Sequence, residues 1–180
     1  ASLPRILKEA SGLEITRSGL LWTHNDDRYP ILYGLDSSGK TRKTVHLNHP
    51  NKGWEDLAQD QNGNIYIGGF GNNKNDRRSL AIYKIPNPDS ILEKVFTAEK
   101  IEYTYSDQRA YPPVVEKMNF DMDAFVSHGD SLYLFSKNRT EPFTGFTRIY
   151  RLPQEAGSYQ AELYDSLYLG DGPMMNHWVT

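Results

Sequence analysis

A block of four short strands recurs three times along this chain of 180 residues, which restricts the fold to a repeat architecture. In each copy a short apolar strand leads through a glycine turn to an aromatic strand, a polar loop, and a strand with an apolar residue followed by tyrosine. The recurring aromatic residues of the second and third strands are Trp22, Tyr66 and Tyr133, and Tyr33, Tyr83 and Tyr150. With a fourth strand in each copy, the pattern predicts twelve strands in three similar antiparallel sheets.

The spacing of the copies points to one architecture. Trp22 and Tyr66 lie 44 positions apart and Tyr33 and Tyr83 lie 50 apart, which matches the roughly 40 to 50 residues of a propeller blade. Both of the next intervals are 67 positions, and residues 106–119, with a Pro-Pro pair and no alternation, predict an inserted loop. We therefore expect an all-β fold, a β-propeller of four-stranded antiparallel blades. A β-sandwich is the alternative, but sandwiches do not repeat one four-strand pattern three times.

About three blades are predicted: blade 1 at about 9–50, blade 2 at about 53–105 and blade 3 at about 120–170. Residues 171–180 are expected to begin the next blade. Because propellers typically have about four to eight blades, three do not close a ring. We expect the remaining blades of a longer protein, or a second copy of the chain, to complete it, since an open end exposes a strand edge and an apolar face.

Composition favours a secreted, periplasmic or cell-surface protein. The net charge of -3 and the pI of about 6.0 give no basic field, so nucleic acid is not an expected partner. No apolar run approaches the roughly 20 residues of a membrane span. The chain has no cysteine, which a secreted protein of this size can tolerate, and it starts at Ala1, which predicts processing. The expected partner is a ligand or another protein.

Acidic residues recur where the first strands of the blades begin. Alignment of the three copies places Ser11, Glu55 and Asp123 at one position. The first strand of every propeller blade lines the central channel, so these side chains are expected to converge on the axis. Carboxylates brought together repel one another, and a hard cation such as Ca²⁺ relieves that repulsion. Glu55, Asp123, Asp56 and Asp121 are the predicted metal ligands; the alternative is that they accept hydrogen bonds from backbone amides in turns.

The second strand of blade 1 ends in His24, Asn25 and Asp26. A histidine with a nearby carboxylate can act as a general base, which makes His24 the candidate catalytic residue. However, residues two apart on an extended segment face the same way without necessarily touching. Asparagine also recurs at the equivalent positions Asn72 and Asn138, which favours a role in turn formation over catalysis.

Four residues form the predicted ligand-binding set: Trp54, Asn25, Asp26 and Arg77. Trp54 precedes Glu55 at the expected channel mouth, where an exposed indole can stack on a flat ligand; packing in the core is the alternative. Arg77 belongs to a polar loop, and arginine there can hold a phosphate or carboxylate, although a solvated loop is the simpler interpretation.

Several stretches of the chain resemble secreted bacterial β-propellers. They are LWTHND at 21–26, WEDLA at 54–58, IYIG at 65–68, FDMDAF at 120–125 and LYLFSK at 132–137. The resemblance is to the six-bladed group called SdiA-regulated or esterase-like-phytase proteins, within the TolB-like and regucalcin-like propellers. It implies a protein of nearly twice this length, of which the chain is the first half, and a divalent ion at the axis. Gly53 and Gly69 depart from the pattern, which commonly has Asp at both places.

Two functions remain open at this stage. The favoured one is a non-catalytic propeller module that binds a ligand or protein partner at its channel mouth and loops. The alternative is a Ca-dependent hydrolase of an ester, lactone or phosphoester, in which the metal polarises the substrate and activates water. The sequence has no Gly-x-Ser-x-Gly elbow, no cysteine and no His-Glu-x-x-His, so it identifies no nucleophile.

Overall fold

A computed structural model describes residues 3–170 of the chain. The first blade is an antiparallel meander of four strands, β1 (Ala10–Ile15), β2 (Leu21–Asn25), β3 (Ile31–Leu35) and β4 (Thr41–Leu47). Gly19, in the β1–β2 turn, has a φ of +84°, a backbone conformation that glycine adopts without steric cost. A second meander contains β5 (Asp56–Gln59), β6 (Ile65–Gly69) and β7 (Leu80–Ile85).

A two-residue strand, β8 (Val95–Phe96), precedes the outer strand of the second blade, β9 (Glu99–Tyr105). The third blade consists of β10 (Met122–His128), β11 (Ser131–Ser136), β12 (Phe146–Pro153) and the long β13 (Gly157–Tyr168). Two short 3-10 turns lie at Pro88–Ser90 and Val115–Lys117. Within residues 3–170 the chain is thus all-β, with three four-stranded antiparallel meanders, and the predicted fold class is confirmed.

Adjacent blades are joined at their outer edges by parallel pairing, which the sequence pattern does not predict. His46 and Leu47 of β4 run beside Val95 and Phe96 of β8 before the chain turns into β9. The same arrangement recurs one blade later, where Gly157–Ala161 of β13 runs parallel to Ile101–Tyr105 of β9. The rest of β13 then pairs antiparallel with β12. As a result, blades 2 and 3 form one eight-stranded sheet.

The core lies between the blades. Trp22 and Trp54 are buried with Ile65, Ile67 and other aliphatic side chains between blades 1 and 2. Tyr66, Phe70 and Tyr150 belong to the corresponding cluster between blades 2 and 3. The aromatic residues that recur once per blade therefore mainly fill inter-blade space, as their periodicity indicated.

Residues 106–119 contain no strand and include the 3-10 turn at Val115–Lys117. The predicted start of a further blade at 171–180 lies outside the described residues. No helix among residues 3–170 is long and apolar enough to cross a membrane.

Candidate functional site

The innermost strands of the three blades meet side by side, with β5 in contact with both β1 and β10. The Ser11 hydroxyl donates a hydrogen bond to the backbone carbonyl of Glu55. On the other side, the backbone N–H of Phe125 donates to Oδ2 of Asp56 at 3.0 Å. Ser11, Glu55 and Asp123, which the repeat alignment placed at one position, therefore do come together near the axis.

A cavity of about 690 Å³ opens at this meeting point. Its apolar wall belongs to the N-terminal segment and blade 1, and its polar end belongs to blades 2 and 3. The apolar lining is Leu3, Ala10, Leu13, Leu21 and Leu35, and the charged lining is Glu55, Asp56, Asp123 and Lys137. A cavity of this size, with an apolar wall and a few convergent polar groups, has the properties of a small-molecule site.

Two cations of blade 3 neutralise two of the acids. Nζ of Lys137 lies 2.6 Å from Oδ2 of Asp123, and both side chains are mostly buried. Asp121, which is fully buried, accepts from Nε of Arg139 and from the backbone N–H of Asn72 at 2.6 Å. Burial raises the pKa of Asp121, and the guanidinium of Arg139 opposes that increase.

Glu55 is the acid whose ionisation the site disfavours most. Burial, followed by the charges of Asp123, Asp26 and Asp121, raises the pKa of Glu55 to about 8, while Lys137 acts in the opposite direction. The carboxylate lies against Gly71, where a Cβ atom would overlap its Oε1. Glu55 is therefore mostly protonated at neutral pH, and a positive charge placed beside it would favour its ionised form.

The exposed carboxylate of Asp26 lies near the same acids. Its pKa is raised by burial of part of its surface and by the charges of Asp27 and Asp123. Asp56 behaves differently, because both of its oxygens accept backbone N–H groups, from Leu57 and Phe125. Burial still raises its pKa to about 6. Asp26 and Glu55 form no ion pair within residues 3–170; Asp26 carries negative charge at neutral pH, and Glu55 adds to it once the pH exceeds about 8.

The four predicted metal ligands do not fit a calcium site in this arrangement. Ca²⁺ needs six to eight oxygen ligands, several of them free carboxylates. Asp123 and Asp121 are held by Lys137 and Arg139, and Asp56 is held by backbone amides. No group of three or more histidine, aspartate or glutamate side chains in the described part of the chain is placed to hold a metal ion. Calcium binding remains a prediction.

His24, the candidate base, is fully buried. Its Nδ1 lies 3.0 Å from the carbonyl oxygen of Asn25, so that nitrogen carries the proton and donates it. Burial lowers the pKa of His24 to about 4, which keeps the imidazole neutral. Its Nε2 lies behind Gly12 and beside the backbone of Asp56. A buried, neutral imidazole whose Nδ1 is a donor does not favour a general base, so a catalytic role for His24 stays a prediction.

Trp54 and Arg77 also have structural contacts, which agree with the alternatives of core packing and loop formation, and their part in ligand binding stays a prediction. Trp54 is fully buried and packs edge-on against His24, with ring centroids 5.6 Å apart, so no face is available for stacking on a ligand. The guanidinium of Arg77 donates to the carbonyls of Gly69, Gly71 and Lys52 and so fixes the loop after β6. Sequence periodicity does not distinguish these structural contacts from ligand binding, because the contacts depend on which loop covers each side chain.

Asn25 is likewise a structural residue. Its side-chain amide donates to the carbonyl of Ile6 at 2.8 Å and thereby holds the N-terminal segment against blade 1. The equivalent Asn72 and Asn138 are buried as well and donate to the carbonyls of Phe120 and Phe146. This supports the interpretation from recurrence that asparagine at this position organises loops. Of the predicted ligand-binding set, Asp26 is the residue whose charge acts on Glu55, and ligand binding by the set stays a prediction.

Sequence reasoning missed Lys137 and Arg139, the two cations that pair with the axial acids. A signal was present, since they flank Asn138 at the position where the other two copies carry His-Asn-Asp and Gly-Asn-Asn. A basic residue on each side of the recurring asparagine appears in only one copy. This departure from the repeat is the signal from which the two cations could have been found.

No protein-family model and no curated protein matches the chain. Among solved structures, virginiamycin B lyase from Staphylococcus aureus is similar at 13% identity and a TM-score of 0.49, over 87% of this chain and 42% of that one. A streptogramin B lyase is similar at 15% identity and a TM-score of 0.49, over 86% of this chain and 41% of that one. The chain spans about two fifths of the length of these two lyases.

Proposed function

We propose that this chain is part of a non-catalytic propeller module that binds a small ligand in the axial cavity. The observation that carries the proposal is the cavity of about 690 Å³ between an apolar wall on blade 1 and a carboxylate-rich end on blades 2 and 3. This volume lies within the roughly 300 to 1,000 Å³ of small-molecule sites. Binding without catalysis is favoured because His24, the candidate base in the described part of the chain, is neutral, buried and donates from Nδ1.

The charge distribution favours a ligand with a cationic head and an apolar body. Lys137 and Arg139 neutralise Asp123 and Asp121, whereas Asp26 and Glu55 have no such partner in residues 3–170. A cation beside Glu55 and Asp26 favours the ionised form of both, and Leu13 and Leu21 supply apolar surface for the rest of the ligand.

Calorimetry with hexyltrimethylammonium tests this proposal, because that probe keeps its charge at every pH. Above the Glu55 pKa of about 8, we expect this probe to bind about tenfold more tightly than hexanol and far more tightly than hexanoate. Glu55→Gln should remove most of that preference, while Glu116→Gln, an exposed acid on the inserted loop, should leave it unchanged. Equal affinities for the three probes would refute a carboxylate-directed site.

A calcium titration of the same proteins decides the alternative. Micromolar Ca²⁺ binding that disappears in Glu55→Gln and in Asp123→Asn would favour the metal-dependent hydrolase, and would require Lys137 to leave Asp123. Absence of calcium binding, together with binding of the ammonium probe, would support the non-catalytic module.

We infer further that the chain belongs with the secreted six-bladed bacterial propellers that its sequence resembles. The support is the set of stretches around Trp22, Trp54 and Phe120, which the structure uses in the inter-blade core. In this proposal further blades, or a second copy, pack on the open faces of blades 1 and 3. Detection of the native protein outside the cytoplasm, by fractionation of the producing cell, tests the location.

A further inference from the structure

The inserted loop at 106–119 encloses a second cavity, of about 420 Å³, against the surface of blade 3. This cavity is separate from the axial one, since none of its lining residues is shared. Its floor is the buried ring of Phe120, and its rim carries the loop residues Pro113 and Val114. Val114 is 62% exposed, so the rim presents apolar surface to solvent.

The loop is held in place by contacts along its length, so the cavity is preformed. The side-chain amide of Gln108 donates to the carbonyl of Asn75 at 2.8 Å. The ring of Tyr111 lies under the guanidinium of Arg78, with 4.9 Å between the carbon Cζ and the ring centroid. Near the end of the loop, the carbonyl of Met118 accepts from the backbone N–H of Arg139 at 2.9 Å. A preformed cavity binds a ligand without a large cost of ordering the loop.

Positive charge predominates around this cavity. Its lining contains Arg109, Lys117 and Arg148 but only one carboxylate, Asp107. Arg148 is oriented by that carboxylate, 2.7 Å from its Nη1, and its Cζ lies 5.3 Å from the ring centroid of Phe120. Arg109 and Lys117 are exposed, and neither forms an ion pair with another residue in the range 3–170. Among residues 3–170, these two cations thus have no ion-pair partner beside an apolar floor and rim.

We propose that this cavity binds a small organic acid, with its carboxylate between Arg109 and Lys117 and its apolar body against Val114 and Phe120. A carboxylate supplies the acceptors that guanidinium and ammonium groups need, and charge-assisted hydrogen bonds of this kind are the strong ones. The volume admits an acid of the size of benzoate. A bare inorganic anion would leave the apolar rim in water, and a neutral aromatic would leave both cations without an acceptor.

Titrations followed by NMR of the backbone amides test this site with benzoate, benzyl alcohol, benzylammonium and inorganic phosphate. We expect saturable shifts with benzoate, confined to the loop and the neighbouring end of β12, and an affinity at least about tenfold above those of the other three probes. The double variant Arg109→Gln/Lys117→Gln should weaken benzoate binding about tenfold or more. The matched variant Arg17→Gln/Lys40→Gln, which removes two exposed cations elsewhere, should not change it.

Two further outcomes would overturn the proposal. Equal binding of benzoate and benzyl alcohol would show that the cations take no part. Phosphate binding as tight as benzoate, with no effect of Val114→Ser on benzoate, would show that the apolar rim takes no part. Because all of these substitutions are on exposed side chains, the variants are expected to fold, and their amide spectra report this directly.

Discussion

At the scale of single residues, the axial site contains an acid, Glu55, that the fold keeps protonated at neutral pH. Glu55 has its pKa raised to about 8 because it is buried among Asp123, Asp26 and Asp121. Its ordinary value is 4.5, so between about 4.5 and about 8 the folded chain holds a proton that the unfolded chain has released. Stability from this group is complete below the lower value and is lost as the pH rises to the upper one.

Glu55→Gln should remove this pH dependence. Relative to the parent chain, the melting temperature of the variant should rise with pH between about 4.5 and about 8 and stay constant above that. Because each unit of pKa difference corresponds to about 1.4 kcal/mol, the difference at the upper end should be several degrees in a chain of this size. Thermal unfolding followed by circular dichroism measures it. A difference that does not change with pH would mean that Glu55 ionises normally in the folded chain.

A second residue-scale prediction concerns the hydrogen bond that links blade 1 to the turn after β7. The fully buried Trp22 donates from Nε1 to Oδ1 of Asp89 at 2.9 Å. Asp89→Ala leaves that donor without a partner and should lower the free energy of unfolding by about 1–3 kcal/mol. Asp89→Asn keeps an acceptor and should restore most of it. Urea unfolding compares the two variants, and an equal loss in both would show that the carboxylate charge matters, not the acceptor.

At the scale of elements, the outer strands connect neighbouring blades by parallel pairing. The N-terminal part of β13 adds to the edge of β9 before β13 turns to its own blade, and β8 does the same at β4. Ala161 lies at the end of the β13–β9 pairing and is fully buried, whereas its neighbour Gln160 is exposed. The parallel pairing of β13 with β9 is therefore tightly packed on the side that Ala161 faces.

Ala161→Arg should destabilise the chain by more than about 3 kcal/mol, because it forces a long charged side chain into a filled and apolar space. Gln160→Arg is the matched control and should change stability by about 0.5 kcal/mol or less. Urea unfolding gives both values, and hydrogen exchange should show lost protection in β9 and β13 of the Ala161 variant. Similar stabilities of the two variants would mean that this pairing is not packed as described.

The repeat in the sequence predicts the antiparallel meanders because each strand carries its own period and turn residues. It does not predict β8 or the parallel pairing between blades. A two-residue strand has no periodicity, and its partner strand depends on how the blades pack. The same limit applies to the site. Alignment of the copies brings Ser11, Glu55 and Asp123 together, but burial of Trp54 and His24 depends on the loops that cover them.

At the scale of the whole molecule, the two end blades present apolar side chains to solvent. Ile15 on β1 is 58% exposed, and Val126 on β10 is 48% exposed. Both residues belong to the innermost strand of their blade. These two strands, β1 and β10, contact blade 2 through β5. Apolar groups on open sheet faces favour association, so we expect this chain to self-associate in solution.

Ile15→Lys should weaken that association by placing a charge on the open face of blade 1. Leu92→Lys is the control, because Leu92 is 92% exposed but lies in the loop before β8, away from both end faces. Sedimentation velocity across the micromolar concentration range measures the effect. The expectation fails if the parent chain remains monomeric throughout or if both variants dissociate alike.

The parallel pairing between successive blades also favours an order in which the blades fold during synthesis. A new outer strand begins on the edge of the preceding one, so a blade has no place to start its last strand until the blade before it is complete. Chains leave the ribosome from the N terminus, so the edge of β9 is available before β13 is made, and we expect the blades to assemble in that order. A ribosome stalled far enough beyond β9 for that strand to have left the exit tunnel should therefore display two assembled blades, and a chain that starts at β10 should lack the edge on which β13 begins.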